Sequence, residues 1–412
     1  MEVITDAILI FAIVGIAMGR LPRLRMNRAS MALAFAAMLI ALGSIGLEAA
    51  LAAIDLGTIF LLLAMMLVIA NLRIAGFFTA AGARILATAH SPRALLALIV
   101  ASSGILSALF LNDTICLMLT PLVVELTIRS KRDPHPYLIG VATSANIGSC
   151  ATIIGNPQNM LIGGSSGIAF GKFLLRLGPP SAIGLFVCWL TIILMFPREF
   201  KKESVLVPAP VTADGMDRRL IAKSLFAAAV MIVLLFAGIP AALAALVAAS
   251  ILLFTRRIDP ARVFAEVDFS LLVFFAGLFI ITETIAGTKA FAFSVGTVIP
   301  LLNSASSGQY FGLGLFSVFT AIFSNLVSNV PTVMLFRPLI SSFADSERAW
   351  LILAMASTYA GNLTLLGSVA NLIVAEGAKP FGVELSFGKY LKAGLPITLV
   401  TIAVGTAWLL FI

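Results

Sequence analysis

SANIGSCATIIGNPQNMLI, residues 144–162, has the length and apolarity of a membrane helix, yet glycines, amides and a proline interrupt it. A helix that crosses lipid must satisfy its own backbone hydrogen bonds, so breaks at Gly148, Gly155 and Pro157 are tolerable only beside protein or a watery cavity. The stretch therefore reads as one wall of a solute site. The plainer alternative is a loop between two short core helices, and the rest of the chain decides between them.

The 412 residues are 60% hydrophobic and only 11% charged, where a soluble domain carries about 25%. Apolar runs of roughly 17 to 25 residues, long enough to span a bilayer, recur along the whole length. The chain reads as an all-α polytopic membrane protein. It begins MEVITDAILIF, acidic and without a basic residue before its apolar run, which is unlike a cleavable signal peptide, so this run is taken as the first span. The formal charge of +8 comes from basic residues spread over many short loops. That distribution fits a positive-inside bias and argues against a nucleic-acid partner. Cys116, Cys150 and Cys188 lie in apolar segments without the paired spacing of a metal site. No cofactor is expected.

Placing spans between charged loops predicts 3–19, 30–47 and 57–74, then two apolar arms, 94–111 and 114–128, meeting at Asn112 and Asp113. Both outer ends of that pair are basic, so it enters from and returns to the cytoplasmic side, as two full spans or as a re-entrant hairpin, and the hairpin is preferred. A polar Asn-Asp tip belongs at an intramembrane cavity rather than at the end of a full crossing. The interrupted segment follows from 137, and 173–196 returns to a polar loop. The second half reads as spans 224–238, 241–255 and 268–286, a second hairpin of arms 312–326 and 330–343, a second interrupted span 350–376, and a last span 391–412. This threading puts 22 of the 27 Lys and Arg on the cytoplasmic side and four outside, with both termini outside, on the periplasmic face of a cell inner membrane.

The two interrupted spans also match. At an offset of 212 residues TIIGNPQNML falls on TLLGSVANLI, placing Thr152 on Thr364, Gly155 on Gly367 and Asn159 on Asn371. The hairpin tips correspond more loosely, FLNDTICLML with LVSNVPTVML. The expected architecture is two inverted repeats of five transmembrane helices plus one re-entrant hairpin each, ten spans and two hairpins, with broken helices at the midplane. Residues 1–196 form the first repeat, 197–223 a cytoplasmic linker and 224–412 the second repeat.

Polar side chains at the breaks and tips are the candidate solute ligands. They are Asn146, Thr152, Gly155, Asn156 and Asn159 in one half and Asn362, Thr364, Gly367, Ser368 and Asn371 in the other, with Gln158 beside them. Amides, hydroxyls and open backbone suit a neutral polyhydroxyl solute or a partly dehydrated cation. Helix-to-helix hydrogen bonding is the structural alternative. Asp113 is the single acid at either tip, and a carboxylate within the membrane is by default functional. It is assigned proton coupling, against the alternative of a helix cap. Glu125, Glu283 and Glu376 rank below it, and His90 and His135 lie in loops.

FLNDTICLMLTPL, GNPQN, SNVPTVML and GNLTLLGSVANL resemble the matching elements of the ion transporter superfamily, in its ArsB/NhaD branch of arsenite pumps and sodium/proton antiporters. The resemblance covers essentially the whole chain. It implies a secondary transporter, not an enzyme, with hairpin tips meeting broken helices, a homodimer and elevator-like movement. By position the tips are Asn112, Asp113 and Thr114, then Ser328, Asn329 and Val330, all implied solute contacts except the coupling residue Asp113 and Val330. Dicarboxylate carriers of the superfamily have Ser-Asn-Thr at both tips. Asp113 in the middle place would repel a dicarboxylate by several kcal/mol in a low-dielectric site.

The resemblance thus implies export of arsenite or antimonite, as neutral trihydroxides, in exchange for protons. Sodium/proton antiport and organic-anion or dicarboxylate transport are the alternatives. The chain has no GxxxxGK[ST] motif, so an arsenite-stimulated ATPase would be a separate subunit.

Overall fold

The fold is seen in a computed structural model, which describes residues 2–19, 25–201, 216–254, 258–302 and 309–411. Among these residues there are helices and no strands. The first half comprises α1 (Glu2–Met18), α2 (Arg28–Ala41), α3 (Leu47–Ala53), α4 (Leu56–Ile74), α5 (Phe77–Leu86), α6 (Pro92–Leu109), α7 (Asn112–Arg129), α8 (Pro134–Ser149), α9 (Pro157–Ser166), α10 (Phe170–Met195) and the single turn α11 (Pro197–Phe200). The second comprises α12 (Arg218–Phe236), α13 (Ala241–Leu253), α14 (Pro260–Ala265), α15 (Phe269–Ala286), α16 (Lys289–Leu302), α17 (Gln309–Val327), α18 (Asn329–Phe336), a 3-10 segment (Arg337–Ser342), α19 (Ser346–Ala360), α20 (Val369–Ala378) and α21 (Phe387–Phe411).

Local chemistry starts many of these helices where they start. Ser91, Asp133, Asn156 and Asp259 each precede a proline at the first helical position and accept a hydrogen bond from a backbone N–H of the first turn. The proline lacks a donor that would be unpaired there anyway, and the cap satisfies one of the others. Seven helices of the described residues, α4, α6, α10, α12, α15, α17 and α21, are long and apolar enough to cross a membrane. With α1, α2 and α13 shorter and the two interrupted spans broken in half, the chain is a multi-pass membrane protein.

Three expected segments differ. The span 30–47 ends early, because Gly43 takes a left-handed φ of 69° and turns the chain before α3. Residues expected to connect 74 to 94 contain α5, a short helix held against α7 and α6. Those after 286 contain α16, whose apolar run is shorter than a crossing requires. Of the expected linker, residues 202–215 lie outside the described residues, as do Arg20, Arg23, Arg256 and Arg257.

Helices of the two halves pack on each other: α2 on α15, α4 on α13, α7 on α20 and α10 on α21. α6 and α8 approach closely enough that a Cβ on Gly148 would fall on the backbone of Gly104. Ion pairs between elements sort by the expected membrane face. Arg73 pairs with Glu266 at 2.8 Å and Arg132 with Glu199 at 3.6 Å, all four assigned to the cytoplasmic side. Lys172 pairs with Glu347 at 2.6 Å and Lys289 with Glu2 at 2.9 Å, all four assigned outside. The three exposed pairs contribute little stability, while the Arg132–Glu199 pair is buried; all four join ends that lie at one level.

Candidate functional site

Each interrupted span is a helix, a non-helical stretch and a second helix: α8 to α9, and α19 to α20. The last carbonyls of a broken helix need donors, since lipid offers none. Asn159 supplies them in the first half, its Nδ2 donating to the carbonyls of Ser149 at 3.2 Å, Cys150 at 3.2 Å and Thr152 at 2.8 Å. Asn371 does the same in the second, to Gly361 at 2.7 Å and Thr364 at 2.9 Å. The 212-residue offset carries Ser149 onto Gly361, Thr152 onto Thr364 and Asn159 onto Asn371. It also carries Asn156 onto Ser368, and these two cap α9 and α20. Gly155 is pinned for a different reason: a Cβ there would collide with the Ser149 carbonyl, and its own oxygen accepts from the Asn112 amide at 3.1 Å.

Asn146, one turn before the first break, joins both halves. Its Nδ2 donates to Asn362 Oδ1 at 2.9 Å and Asn371 Oδ1 at 3.2 Å, while its Oδ1 accepts from Asn112 Nδ2 at 3.0 Å and Ser368 Oγ at 3.2 Å. Asn156 and Gln158 reach across to Thr358 Oγ1 at 3.5 and 3.2 Å. Thr152 donates to the Ala108 carbonyl near the end of α6.

At the tips, α6 gives way to α7 through Phe110 and Leu111, and α17 to α18 through Ser328, whose φ of 92° is strained for a residue with a side chain. Both second helices begin at an asparagine, Asn112 and Asn329. Structurally Asn112 therefore matches Asn329 and Asp113 matches Val330, one place removed from the alignment of the sequences. Asp113 does not cap its helix: the capping position is Leu111, with no side-chain cap bond. Instead Asp113 is half-buried in the first turn, where the positive end of the helix favours an anion.

A cavity of about 730 Å³ opens between these elements. Six helices turn their N-terminal residues to it: Asn27 and Arg28 by α2, Asn112 and Asp113 by α7, Pro157 and Gln158 by α9, Asp268 and Ser270 by α15, Ser328 and Asn329 by α18, and Ser368 and Val369 by α20. The oxygens Asn112 Oδ1 and Asn329 Oδ1 have no hydrogen-bond partner among the described residues, although these residues are only 4% and 8% exposed. Asp113 interacts electrostatically with Arg28 and Asp268. Glu376 also lines the cavity and pairs with Lys379 at 2.7 Å.

Of the expected site residues, Asn112, Asp113, Ser328, Asn329 and Ser368 line the cavity. Thr114, Asn146, Thr152, Gly155, Asn156, Asn159, Asn362, Thr364, Gly367 and Asn371 are not among its lining residues, and most of these hold the breaks in shape by the bonds above. Arg28 and Asp268 were not foreseen. Both sit at loop-to-helix junctions that look in the sequence like ordinary charged ends, and only the packing of α2 on α15 brings them to the tips. Arg28 also supplies a positive charge that the electrostatic argument against dicarboxylates leaves out. Cys116, Cys150 and Cys188 are buried, and among the described residues no three His, Cys, Asp or Glu gather to hold an ion. A second cavity, of about 440 Å³, lies at the other end of the molecule, by Asp55, Gly167 and Pro240.

The sequence model of the citrate transporter family, CitMHS, matches residues 9–360. The chain is 32% identical to the silicon efflux transporter LSI3 of rice, over 93% of this chain and 92% of that protein. It is 28% identical to a 46 kDa membrane protein of Mycobacterium leprae, over 93% and 94%. A transporter named arsB from Dictyostelium discoideum is 26% identical, over 85% and 82%. Among solved structures, the YdaH transporter of Alcanivorax borkumensis superposes with a TM-score of 0.64 over 100% of this chain and 97% of that one, at 13% identity. MtrF of Neisseria gonorrhoeae gives 0.62 over 100% and 94%, at 11% identity. At these identities the two structures speak for the fold alone.

Proposed function

The chain belongs to the citrate transporter family of the ion transporter superfamily, and from that premise we propose that it exports neutral polyhydroxylated weak acids, arsenous acid and its antimony analogue first, in exchange for protons. The observation that carries this reading is the meeting of unpartnered acceptors and helix-end donors in the wall of one cavity. A molecule with several hydroxyls needs both, and Asn112 Oδ1 and Asn329 Oδ1, enclosed in that wall without a partner among the described residues, are the acceptors a small side-chain rotation would present, beside first-turn backbone N–H donors. The rice relative named for silicon efflux supports the class, because silicic acid is likewise a neutral polyhydroxide. Asp113 takes and releases the exchanged proton.

The architecture proposed with it is a pair of inverted repeats whose tips and broken helices form one transport part, moving against α1, α2, α4, α12, α13 and α15. The repeated Asn159 and Asn371 bonding supports the repeat. With the arginine-rich loops in the cytoplasm of an inner membrane, the larger cavity opens inward, beside Arg28 and Asp268. The homodimer and separate ATPase implied by the resemblance have no residue in this site to support them and stay outside the proposal.

Export of a tricarboxylate is the second reading, favoured by the family's citrate name and by Arg28 in the cavity. The test is proton movement in everted vesicles on addition of arsenite, antimonite, silicic acid, sodium or citrate. Arsenite and antimonite should elicit it, and Asp113→Asn should abolish it. A response to citrate or sodium alone, or full proton-coupled arsenite flux by Asp113→Asn, overturns the proposal.

A further inference from the structure

We infer that Arg28 is an electrostatic latch which holds the transport part in place whenever Asp113 is charged and no solute is bound. The inference rests on the reading of Asp113 as the proton-exchanging group.

Arg28 and Asp113 face the same cavity from differently packed helices. Arg28 starts α2, which packs mainly on α15 and α1, whereas Asp113 sits in the first turn of α7, packed on α8 and α20. The two charges interact across the cavity, yet no side-chain hydrogen bond or ion pair is found for either among the described residues. Their charged neighbours are otherwise occupied. Glu376 of α20 pairs with Lys379, and Asp268 caps α15 by accepting from the Leu271 amide at 3.1 Å. Of the other helices against α7, α8 and α6 are uncharged beyond their first turns, and α5 contributes Arg84 near its end. Cys116 lies on α7 itself and interacts with Asp113. Among the described residues Arg28 is thus the one cation lining the cavity.

An exchanger must forbid one step: the return of a carrier that holds neither solute nor proton. A charged, solute-free Asp113 is attracted to Arg28, and moving α7 away from α2 would separate opposite charges in a poorly solvated space. Protonation removes the attraction. A solute seated between Asp113 and Arg28 replaces it. Each permitted step is therefore a step that releases the latch, and Asp268, which repels Asp113, sets how firmly the latch holds.

The test uses the full chain reconstituted in vesicles, with arsenite as the probe and protons moved per arsenite as the readout. Arg28→Gln should carry arsenite down its gradient without protons, lowering the ratio about tenfold, within the usual span of coupling between sites. Arg28→Lys, which keeps the charge, should restore it to within about threefold. Should Arg28→Gln not fold, Asp268→Asn, still able to cap α15, should tighten the latch and raise the arsenite concentration for half-maximal flux several-fold at an unchanged ratio. A wild-type ratio in Arg28→Gln, or unaltered half-saturation in Asp268→Asn, overturns the latch while Asp113→Asn still loses coupling. Wild-type arsenite flux that moves no protons overturns the reading of Asp113 and the latch with it.

Discussion

Asn146 donates from Nδ2 to the carboxamide oxygen of Asn362 at 2.9 Å, and through this bond the broken helices of the two halves share one buried polar network. Four side chains, Asn112, Asn362, Asn371 and Ser368, depend on the same amide. Every member sits where water is scarce, so the loss of one leaves several groups unpaired.

Asn146→Ala should therefore destabilise the protein by about 2–5 kcal/mol, since each stranded buried group costs about 1–3 kcal/mol. Thermal melts in detergent check this. Asn146→Ser, which keeps one donor and one acceptor, should fall between the two.

Ser328 is held at φ 92° at a tip lining the cavity. Strain of this kind costs roughly 1–3 kcal/mol for a residue with a Cβ, and glycine adopts the angle freely, at some cost in unfolded-chain entropy. Ser328→Gly should raise the melting temperature, by an amount equivalent to about 1 kcal/mol, while reducing arsenite flux by loosening the tip. A drop in melting temperature would show that the hydroxyl outweighs the strain.

Outside the spans, the hydrogen bond from His135 holds the Asp133 carboxyl below the usual carboxylate range, with Lys389 adding a smaller attraction. A lowered folded pKa contributes stability above the unfolded value and loses it as pH falls through the folded one. Asp133→Asn should melt below wild type at neutral pH. The gap should close as pH falls from about 5 through and below the ordinary carboxylate range. Asp133 is half exposed, so the gap is small. A gap independent of pH would show that the charge of the Asp133 carboxylate is not what stabilises the fold there.

Leu366, 67% exposed, lines the larger cavity, and Asp55 lines the smaller one at the other end. The three native cysteines are buried and should react little with an impermeant maleimide. Leu366→Cys should be labelled from the cytoplasmic face and Asp55→Cys from the outside. Labelling in the reverse order would invert the expected orientation.

The amino-acid sequence by itself determined the membrane class, most helices to within a few residues, the positions of both breaks and the matched pair Asn159 and Asn371. These are local facts: apolar length, a proline after a cap, and an amide a fixed distance past a glycine. Family membership was legible for the same reason, in contiguous motifs at the tips and breaks.

What only the tertiary structure decided was the division of labour among the polar residues. Asn146, Asn159, Asn362 and Asn371 look the same in the sequence as Asn112 and Asn329, yet the first four spend their amide nitrogens on backbone carbonyls and on each other away from the cavity, while the last two line it. Likewise nothing local to Arg28 or Asp268 marks them as neighbours of Asp113. Their approach depends on α2 packing against α15 across more than 200 residues of chain, a distance at which hydrogen-bond partners and electrostatic neighbours are set by packing rather than by spacing.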